Sequence, residues 1–453
     1  MNSPSKIITP GSLSRRTFLR SAGAVAAASA LPIERFAFGA SNNDTLKIAA
    51  VGVGGRGSGA VSQALNTSNL GPVKLVAIAE VHEDRLNNAL KNFKTKHEDA
   101  VDVPKERQFL GFDGYQKAIA EADVVILATP PGFRPMQFEA AIKAGKHVFM
   151  EKPVASDAEG VRRVLAAAEE AKKKGLKVGV GLQRRHQLGY QETIQRLHDG
   201  AIGDITSMRC YWNGTRPWQN KRADLENKYG RKLTELEYQM RNWYYFTWIC
   251  GDHIAEQHIH NIDVINWVKK GHPVKARAMG GREITNSPDD GEIYDHFAVE
   301  FIYEDGSICH SFCRHQKVPD WNDISEHVQG TKGRSDINRY IITGANQWKA
   351  NAQGAKDPYQ QEHDDLFAAI RDNKEYNEAF SGAESTMTAI LGRMCAYSGK
   401  ELEWKDALNS QVEVFPKAFY ETGGKDGWNV EPLVKPGADG YYPKAVPGKT
   451  KVV

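Results

Sequence analysis

Lys47-Ile-Ala-Ala-Val51-Gly52-Val53-Gly54-Gly55-Arg56-Gly57 is the stretch on which the fold turns. A short apolar run reaches a glycine-rich turn, a helical pattern follows, and a second apolar run, Val73-Lys-Leu-Val-Ala-Ile-Ala79, ends at Glu80. Glycine-rich turns are common and mean little alone. Between a strand and a helix, with an acid closing the next strand about 20 residues on, this one matches a dinucleotide-binding fingerprint. Gly52 permits the tight turn, Gly54 lets the backbone approach a pyrophosphate, and Gly57 lets the helix pack close to the strand. Gly55 and Arg56 lie in the same turn and join them as cofactor-binding candidates, with the helix N-terminus facing the phosphates. Glu80 is placed to accept hydrogen bonds from ribose hydroxyls, and its charge repels a 2′-phosphate, so NAD is favoured over NADP.

Working outward, buried-strand runs recur at 123–129, 147–150 and 177–181, separated by helical patterns. Ser156 and Glu159 form a capping-box spacing ahead of Val161, Val164, Leu165 and Ala168. Alternating strands and helices predict a parallel, doubly wound sheet over residues 44–181. From 205 the period changes. Segments 205–211, 274–283, 296–303 and 307–314 alternate apolar and polar residues, as half-buried strands do, and Ser381 and Glu384 announce a late helix.

At 453 residues the chain has room for two domains and appendages. Its net charge of +3 gives no electrostatic reason to expect nucleic acid or an anionic membrane surface. Cys210, Cys250, Cys309, Cys313 and Cys395 form no C-x-x-C pair. Four residues of strand hold Cys309 and Cys313 roughly 13 Å apart, too far for a disulfide, so all five are read as reduced and structural.

The first forty residues read as an address. Ser14-Arg15-Arg16-Thr17-Phe18-Leu19-Arg20 precedes an Ala-rich apolar run to Leu31, with small residues at Ala37, Gly39 and Ala40. The run is well short of the ~20 residues that span a bilayer. The paired arginines followed by Phe-Leu resemble the twin-arginine export signal, which implies export of the folded protein and a periplasmic destination. Nothing later in the sequence reads as a membrane span.

Thr129-Pro130-Pro131, Ala144-Gly145-Lys146-His147-Val148 and Glu151-Lys152-Pro153 join the glycine-rich start. With Gly200-Ala201-Ile202-Gly203-Asp204 and the His260-x-x-Asp263 segment, the combination resembles the glucose–fructose oxidoreductase and inositol dehydrogenase (Gfo/Idh/MocA) family over roughly residues 46–408. The resemblance implies an α/β protein: an N-terminal Rossmann dinucleotide-binding domain and a C-terminal α+β domain with an open-faced, mostly antiparallel sheet. The expected division is a signal peptide at 1–40, an NAD-binding domain at 44–181, a substrate and oligomerisation domain at 182–408 and a tail at 409–453. In the family such sheets often pack face to face, which implies a homodimer or homotetramer.

The same resemblance places Lys152 at the catalytic centre, assisted by an acid and a histidine that match Glu256 and His260. Residues four apart share one helical face, so both can point at one substrate. Thr129, Pro130, Arg134, Glu151 and Lys152 join the cofactor-binding set. Three departures stand out: Glu256 replaces a usual Asp, Arg134 stands where many members have His, and His258 replaces a usual Gly. His253, Glu256 and His260 also lie within one stripe that could hold zinc, but the family fills this site with cofactor and lysine, so no metal is expected. His260 also reads as a hydrogen-bonded core histidine, and Asp263 as a structural residue or one that supports the site residues from behind.

The segment 210–248 is the most distinctive: Trp212, Trp218, Trp243 and Trp248 with Tyr211, Tyr244 and Tyr245, interrupted by a charged stretch, 221–241, that looks like an inserted helix or lid. Such aromatics stack on sugar rings or pack as ordinary core, and both readings stand. Arg185, His186, Trp243 and His258 are the substrate-binding candidates. The expected function is NAD-dependent oxidation of a sugar, polyol or glycoside hydroxyl, with hydride passed to tightly bound NAD. A redox-neutral, NAD-dependent glycoside hydrolase and a non-catalytic sugar-binding protein are the alternatives.

Overall fold

The computed structural model describes residues 44–316 and 321–453; the expected signal peptide lies outside them. Two sheets dominate. The first is parallel: β1 (Leu46–Val51), β2 (Val73–Glu80), β3 (Gln108–Leu110), β4 (Val124–Leu127), β5 (His147–Met150) and β6 (Val178–Val180), in the order β3-β2-β1-β4-β5-β6. Its central strands β4 and β5 are buried along their whole length and β1 at every residue but Lys47, as expected of a sheet covered by helices on both faces. The order reverses between β1 and β4, and at such a switch point the carboxyl ends of the strands leave a crevice.

The second sheet has nine strands: β7 (Ile205–Gly214), β8 (Lys275–Gly281), β9 (His296–Ile302), β10 (Ile308–His315), β11 (Asp323–Gly330), β12 (Gly333–Asp336), β13 (Ile341–Gly344), β14 (Trp348–Lys349) and β15 (Leu402–Glu403). Their order is β14-β13-β12-β11-β7-β10-β9-β8-β15, antiparallel except for the central β7–β10 pair. One face packs on the helices Ile259–Lys269 and Ala379–Ser398. On the other face Met279 is exposed and Tyr211 stacks on Phe312 at 5.5 Å. The α/β class, the parallel sheet and the open-faced, mostly antiparallel sheet agree with the sequence reading.

Several local expectations give way to tertiary detail. The helix at 158 is capped by Asp157, whose carboxylate accepts from Gly160 N–H at 2.7 Å, and not by Ser156. Ser156 instead donates to Trp248 O. The late helix begins at Ala379, so Ser381 lies inside its first turn. The charged insertion forms two short helices, Arg222–Tyr229 and Glu235–Arg241, the second opened by a Thr234/Glu237 capping box. All five cysteines are free and buried, as read; Cys210 and Cys309 Sγ lie 3.8 Å apart.

Late chain returns to the first sheet. The helix Pro358–Arg371 packs on the helix Gly55–Leu65, and Asn377 bridges to Val178 of β6. Beyond Leu408, Phe415 and Phe419 are buried against Phe133 of the 131–133 turn.

The glycine turn is held by contact. Gly52 has φ +84°, and a Cβ on Gly57 would lie 2.1 Å from Gly52 O. Gly57→Ala must therefore push the helix off the strand. The expected outcome is destabilisation by about 1–3 kcal/mol with loss of NAD binding, checked by thermal unfolding with and without added NAD.

Candidate active site

A cleft of about 780 Å³ opens at the carboxyl ends of β1, β2, β4 and β5 and runs beneath the second sheet. Gly52, Gly54, Gly55, Arg56, Gly57, Glu80, Thr129, Pro130, Arg134, Glu151 and Lys152 line it, as do Glu256, His260 and Trp243. The glycine turn meets the requirements of a dinucleotide. A Cβ on Gly55 would meet nothing within 4 Å, and one on Gly54 only an Arg85 guanidinium at 3.9 Å. Bare backbone thus faces open cleft at the N-terminus of an 11-residue helix.

Glu80 does more than await a ribose. Its carboxylate accepts the backbone N–H groups of Val53 (3.0 Å), Val81 (2.8 Å) and His82 (3.1 Å). One side chain therefore fixes the glycine turn and the start of the next helix, and keeps a buried negative charge at the end of β2. Arg56 turns inward, paired with Glu151 and, at 3.3 Å, with Glu362; Tyr359 lies 4.9 Å below its guanidinium. Glu151 presses on Gly181, where a Cβ would sit 2.6 Å from its carboxylate. Arg134 donates to Thr129 O and to Pro153 O, tying the end of β4 to the segment that carries Lys152. Burial lowers its guanidinium to about 10.

Lys152 Nζ donates to the backbone oxygen of Glu256 and lies 3.2 Å from its carboxylate. Burial pushes the Glu256 carboxyl above its ordinary range, opposed by Lys152 and Arg134. His260 stacks on Trp212, with centroids 6.0 Å apart, and its Nδ1 has no hydrogen-bond partner among the described residues. Burial, with Lys152, Arg184 and Arg56 nearby, drives its imidazole well below 6.5, so it is neutral at physiological pH. Glu256 and His260 meet in the cleft without sharing a helix. The chain forms a turn at His253–Glu256, breaks at Gln257 and restarts at Ile259.

Three substrate candidates point elsewhere. Arg185 grips Asp263 through Nε and Nη2 at 2.7–3.1 Å and lies over Trp267, so Asp263 is structural, as one reading had it. His186 lies between Asp365 (2.7 Å) and Glu378 (3.1 Å), which outweigh burial and raise it to about 10. His258 is fully buried, 2.7 Å from Ser311 Oγ. Each follows a strand or helix end that suggested the cleft, and each was claimed by a partner distant in sequence. His253 stacks on His315 at 4.3 Å, away from Glu256 and His260; among the described residues no group of three or more His, Cys, Asp or Glu is placed to hold a metal ion.

Sequence reasoning missed Arg184, Gln257, Tyr359 and Glu362. Arg184 lines the cleft while paired with fully buried Glu326. Tyr359 and Glu362 arrive from some 300 residues beyond the glycine turn, and nothing local announces them.

A cleft of this shape, with a glycine-rich phosphate turn and a lysine–carboxylate–histidine group, belongs to a dinucleotide-dependent oxidoreductase fold. Comparison with known proteins agrees: residues 46–181 match the oxidoreductase family with an NAD-binding Rossmann fold, and residues 190–335 match the GFO/IDH/MocA C-terminal domain. The chain belongs to the GFO/IDH/MocA family. Residues 12–32 match the twin-arginine translocation signal, which supports export by that route. Inositol 2-dehydrogenase/D-chiro-inositol 3-dehydrogenase of Shouchella clausii is 25% identical over 224 residues, covering 49% of this chain and 53% of that protein. The 2,7-anhydro-N-acetylneuraminate hydratase of Escherichia coli is 24% identical over 254 residues, 55% of this chain and 60% of that protein. The chain thus spans just over half the length of these relatives. The scyllo-inositol dehydrogenase of Lactobacillus casei, solved with NAD(H) and scyllo-inositol, superposes with a TM-score of 0.59 at 22% identity, covering 80% of this chain and all of that one.

Glu80→Ala is expected to strand three backbone N–H groups at once. Each unsatisfied buried donor costs about 1–3 kcal/mol, so both stability and NAD affinity should fall, read by thermal unfolding and by calorimetric titration with NAD.

Proposed function

We propose that the protein oxidises a hydroxyl of a sugar, polyol or glycoside, passing hydride to NAD held in the cleft. The observation that carries this is the Lys152–Glu256–His260 group at the end of β5, beside the glycine turn and under Trp212. Bound NAD supplies the hydride acceptor. The Lys152 ammonium, oriented by Glu256, holds the substrate hydroxyl oxygen. The neutral His260 ring, with a nitrogen free, takes its proton. Trp212 offers the apolar face of the sugar a surface to stack on. The intact trio weighs against a binding-only protein.

NAD is retained through turnover in this reading. The insertion and the late chain both lean on the helix that follows Glu80. Arg241 donates twice to Asp84, at 2.8 and 3.0 Å, and Tyr229 donates to it at 3.3 Å. Against the opposing effect of burial, Arg241 pulls the Asp84 carboxyl down to about 2. Trp428 stands on His82 and Phe112. The destination we propose is the periplasm, where no free nicotinamide pool exists, so the cofactor must be reset on site by a second, carbonyl substrate. A redox-neutral glycosidase cycle meets the same need, and the hydratase among the relatives favours keeping it as the second reading. The open sheet face with Met279, Tyr211 and Phe312 suits a homodimer or homotetramer. We also take 44–181 as the NAD-binding region, 182–408 as the substrate region and 1–40 as the signal peptide.

Lys152→Ala should keep its NAD but lose about 10²–10⁴-fold in rate, read as single-turnover appearance of reduced nicotinamide with a sugar that reacts with wild type. His260→Ala should lose as much. Retained reduction within tenfold would exclude this centre. An oxidoreductase stays reduced until a carbonyl substrate is added; a glycosidase releases aglycone with no lasting signal.

The rate should also fall toward acid pH. Glu256 is needed as a carboxylate, and because its pKa is raised it takes up its proton at a higher pH than an exposed glutamate. Glu256→Gln should lower the plateau rate and remove this acid limb, checked by the same assay across pH.

A further inference from the structure

The aromatic cluster of the insertion divides into two stations. The first is Trp212, half-buried on β7 and stacked over His260 beside the buried reacting groups. The second is Trp218 with Trp243, their rings 5.8 Å apart and edge to face. Both line the same cleft, but Trp243 is half-buried and Trp218 is 44% exposed at its mouth.

The mouth station adjoins the second sheet. Trp218 and Trp243 flank Tyr244, which stacks on His315, and His315 pairs with Gly214, two residues beyond Trp212 along β7. Two strand residues span roughly 7 Å, so this contact path begins about that far along β7 from Trp212.

Trp218 is also held in place. On one side Arg216 and Gln219 both donate to the buried carboxylate of Asp290. On the other, Tyr245 OH donates to Trp218 O at 3.1 Å, and Asn220 bonds Asn242 Oδ1 at 3.0 Å and Arg241 O at 2.6 Å. A single exposed apolar side chain needs no explanation. Here five side-chain anchors fix the backbone under an exposed indole at the mouth of a cleft, backed by a second indole. A rigid aromatic presented in this way loses little conformational freedom on stacking.

We infer that Trp218 and Trp243 form a second ring-binding subsite, so that the substrate is a two-ring compound, a disaccharide or aryl glycoside, and not a free monosaccharide. This rests on the sugar-oxidising function proposed above. The ring that reacts lies under Trp212 and the second ring or aglycone stacks on Trp218.

The test uses the purified full chain with its NAD, and matched probes: glucose and galactose as single rings, cellobiose, lactose and the p-nitrophenyl β-glycosides of the same sugars as two-ring compounds. Wild type should have a lower KM for the two-ring probe of at least one pair. Trp218→Ala should raise that KM about tenfold, the scale of one aromatic stack, with kcat and the single-ring KM unchanged; Trp218→Phe should restore most of it. Equal effects on both probe classes, or none, would overturn the subsite, as would loss of NAD from Trp218→Ala, which would make the indole a cofactor cover. Calorimetric binding of the same probes to Lys152→Ala reads the subsite without turnover. Two-ring binding that depends on Trp218 there upholds it even if wild type oxidises none of the sugars, an outcome that sinks only the proposed chemistry.

Discussion

The buried pair between Lys152 and Glu256 is the contact around which the cleft is organised. Lys152 follows β5 of the parallel sheet, and Glu256 ends a short turn that leads into the helix beneath the second sheet. Two charges so withdrawn from water need each other: taking away one partner of such a pair costs about 3–5 kcal/mol, because the other is left buried and alone. The two backbones that carry them are therefore held at a fixed separation, and that separation is the floor of the cleft. Arg134 adds a second tie by bonding Pro153 O, and Arg56 a third through Glu151. Three cations surrounding two carboxylates keep the Lys152 segment in register with the glycine turn. Burial, with Lys152 and Arg56 nearby, keeps His260 neutral, as its proposed role of proton acceptor requires.

Much of this was legible in the sequence because it is local. The parallel sheet follows from apolar runs at regular spacing, and the glycine turn follows from residues within one strand–turn–helix unit. The alternating strands β7 to β10 show a period of two because one face is open. What escaped is what distance decides. Arg185, His186 and His258 sit near the right chain positions for substrate contact, yet each is bound to a partner between 53 and 179 residues away. Glu256 and His260 have helical spacing, but the helix is broken between them, and they converge because both chain segments face the cleft. Strands β12 to β14 run only four, four and two residues, and the Gly-Arg-Ser-Asp of β12 carries no strand signal.

The aromatic insertion shows the same limit from the other side. Its composition admitted both stacking and core packing, and the structure uses it for both. Trp248 is buried behind the turn at Phe133, whereas Trp212, Trp218 and Trp243 face the cleft. Sequence could not sort them, since each lies in a run of large residues. The sorting comes from where the chain reverses, at Asp290 and Asn242, whose buried polar groups collect the hydrogen bonds of residues 216–220.

Export gives these contacts a common direction. A twin-arginine signal carries a protein that has already folded, so whatever the cleft encloses in the cytoplasm travels with it. Under the proposed function retention then matters more than exchange, and the late chain packs where it can serve that. Tyr442 bonds Glu235 and Arg222, and Val434 O accepts from Gln239, so the terminal segment braces the insertion whose Arg241 holds Asp84. The brace acts at the ribose end of the cleft, whereas Trp218 stands exposed at the other side of the insertion. One element thus braces the chain beside Glu80 on one side and presents an exposed indole on the other, an asymmetry that accords with the proposed cycle on a retained dinucleotide.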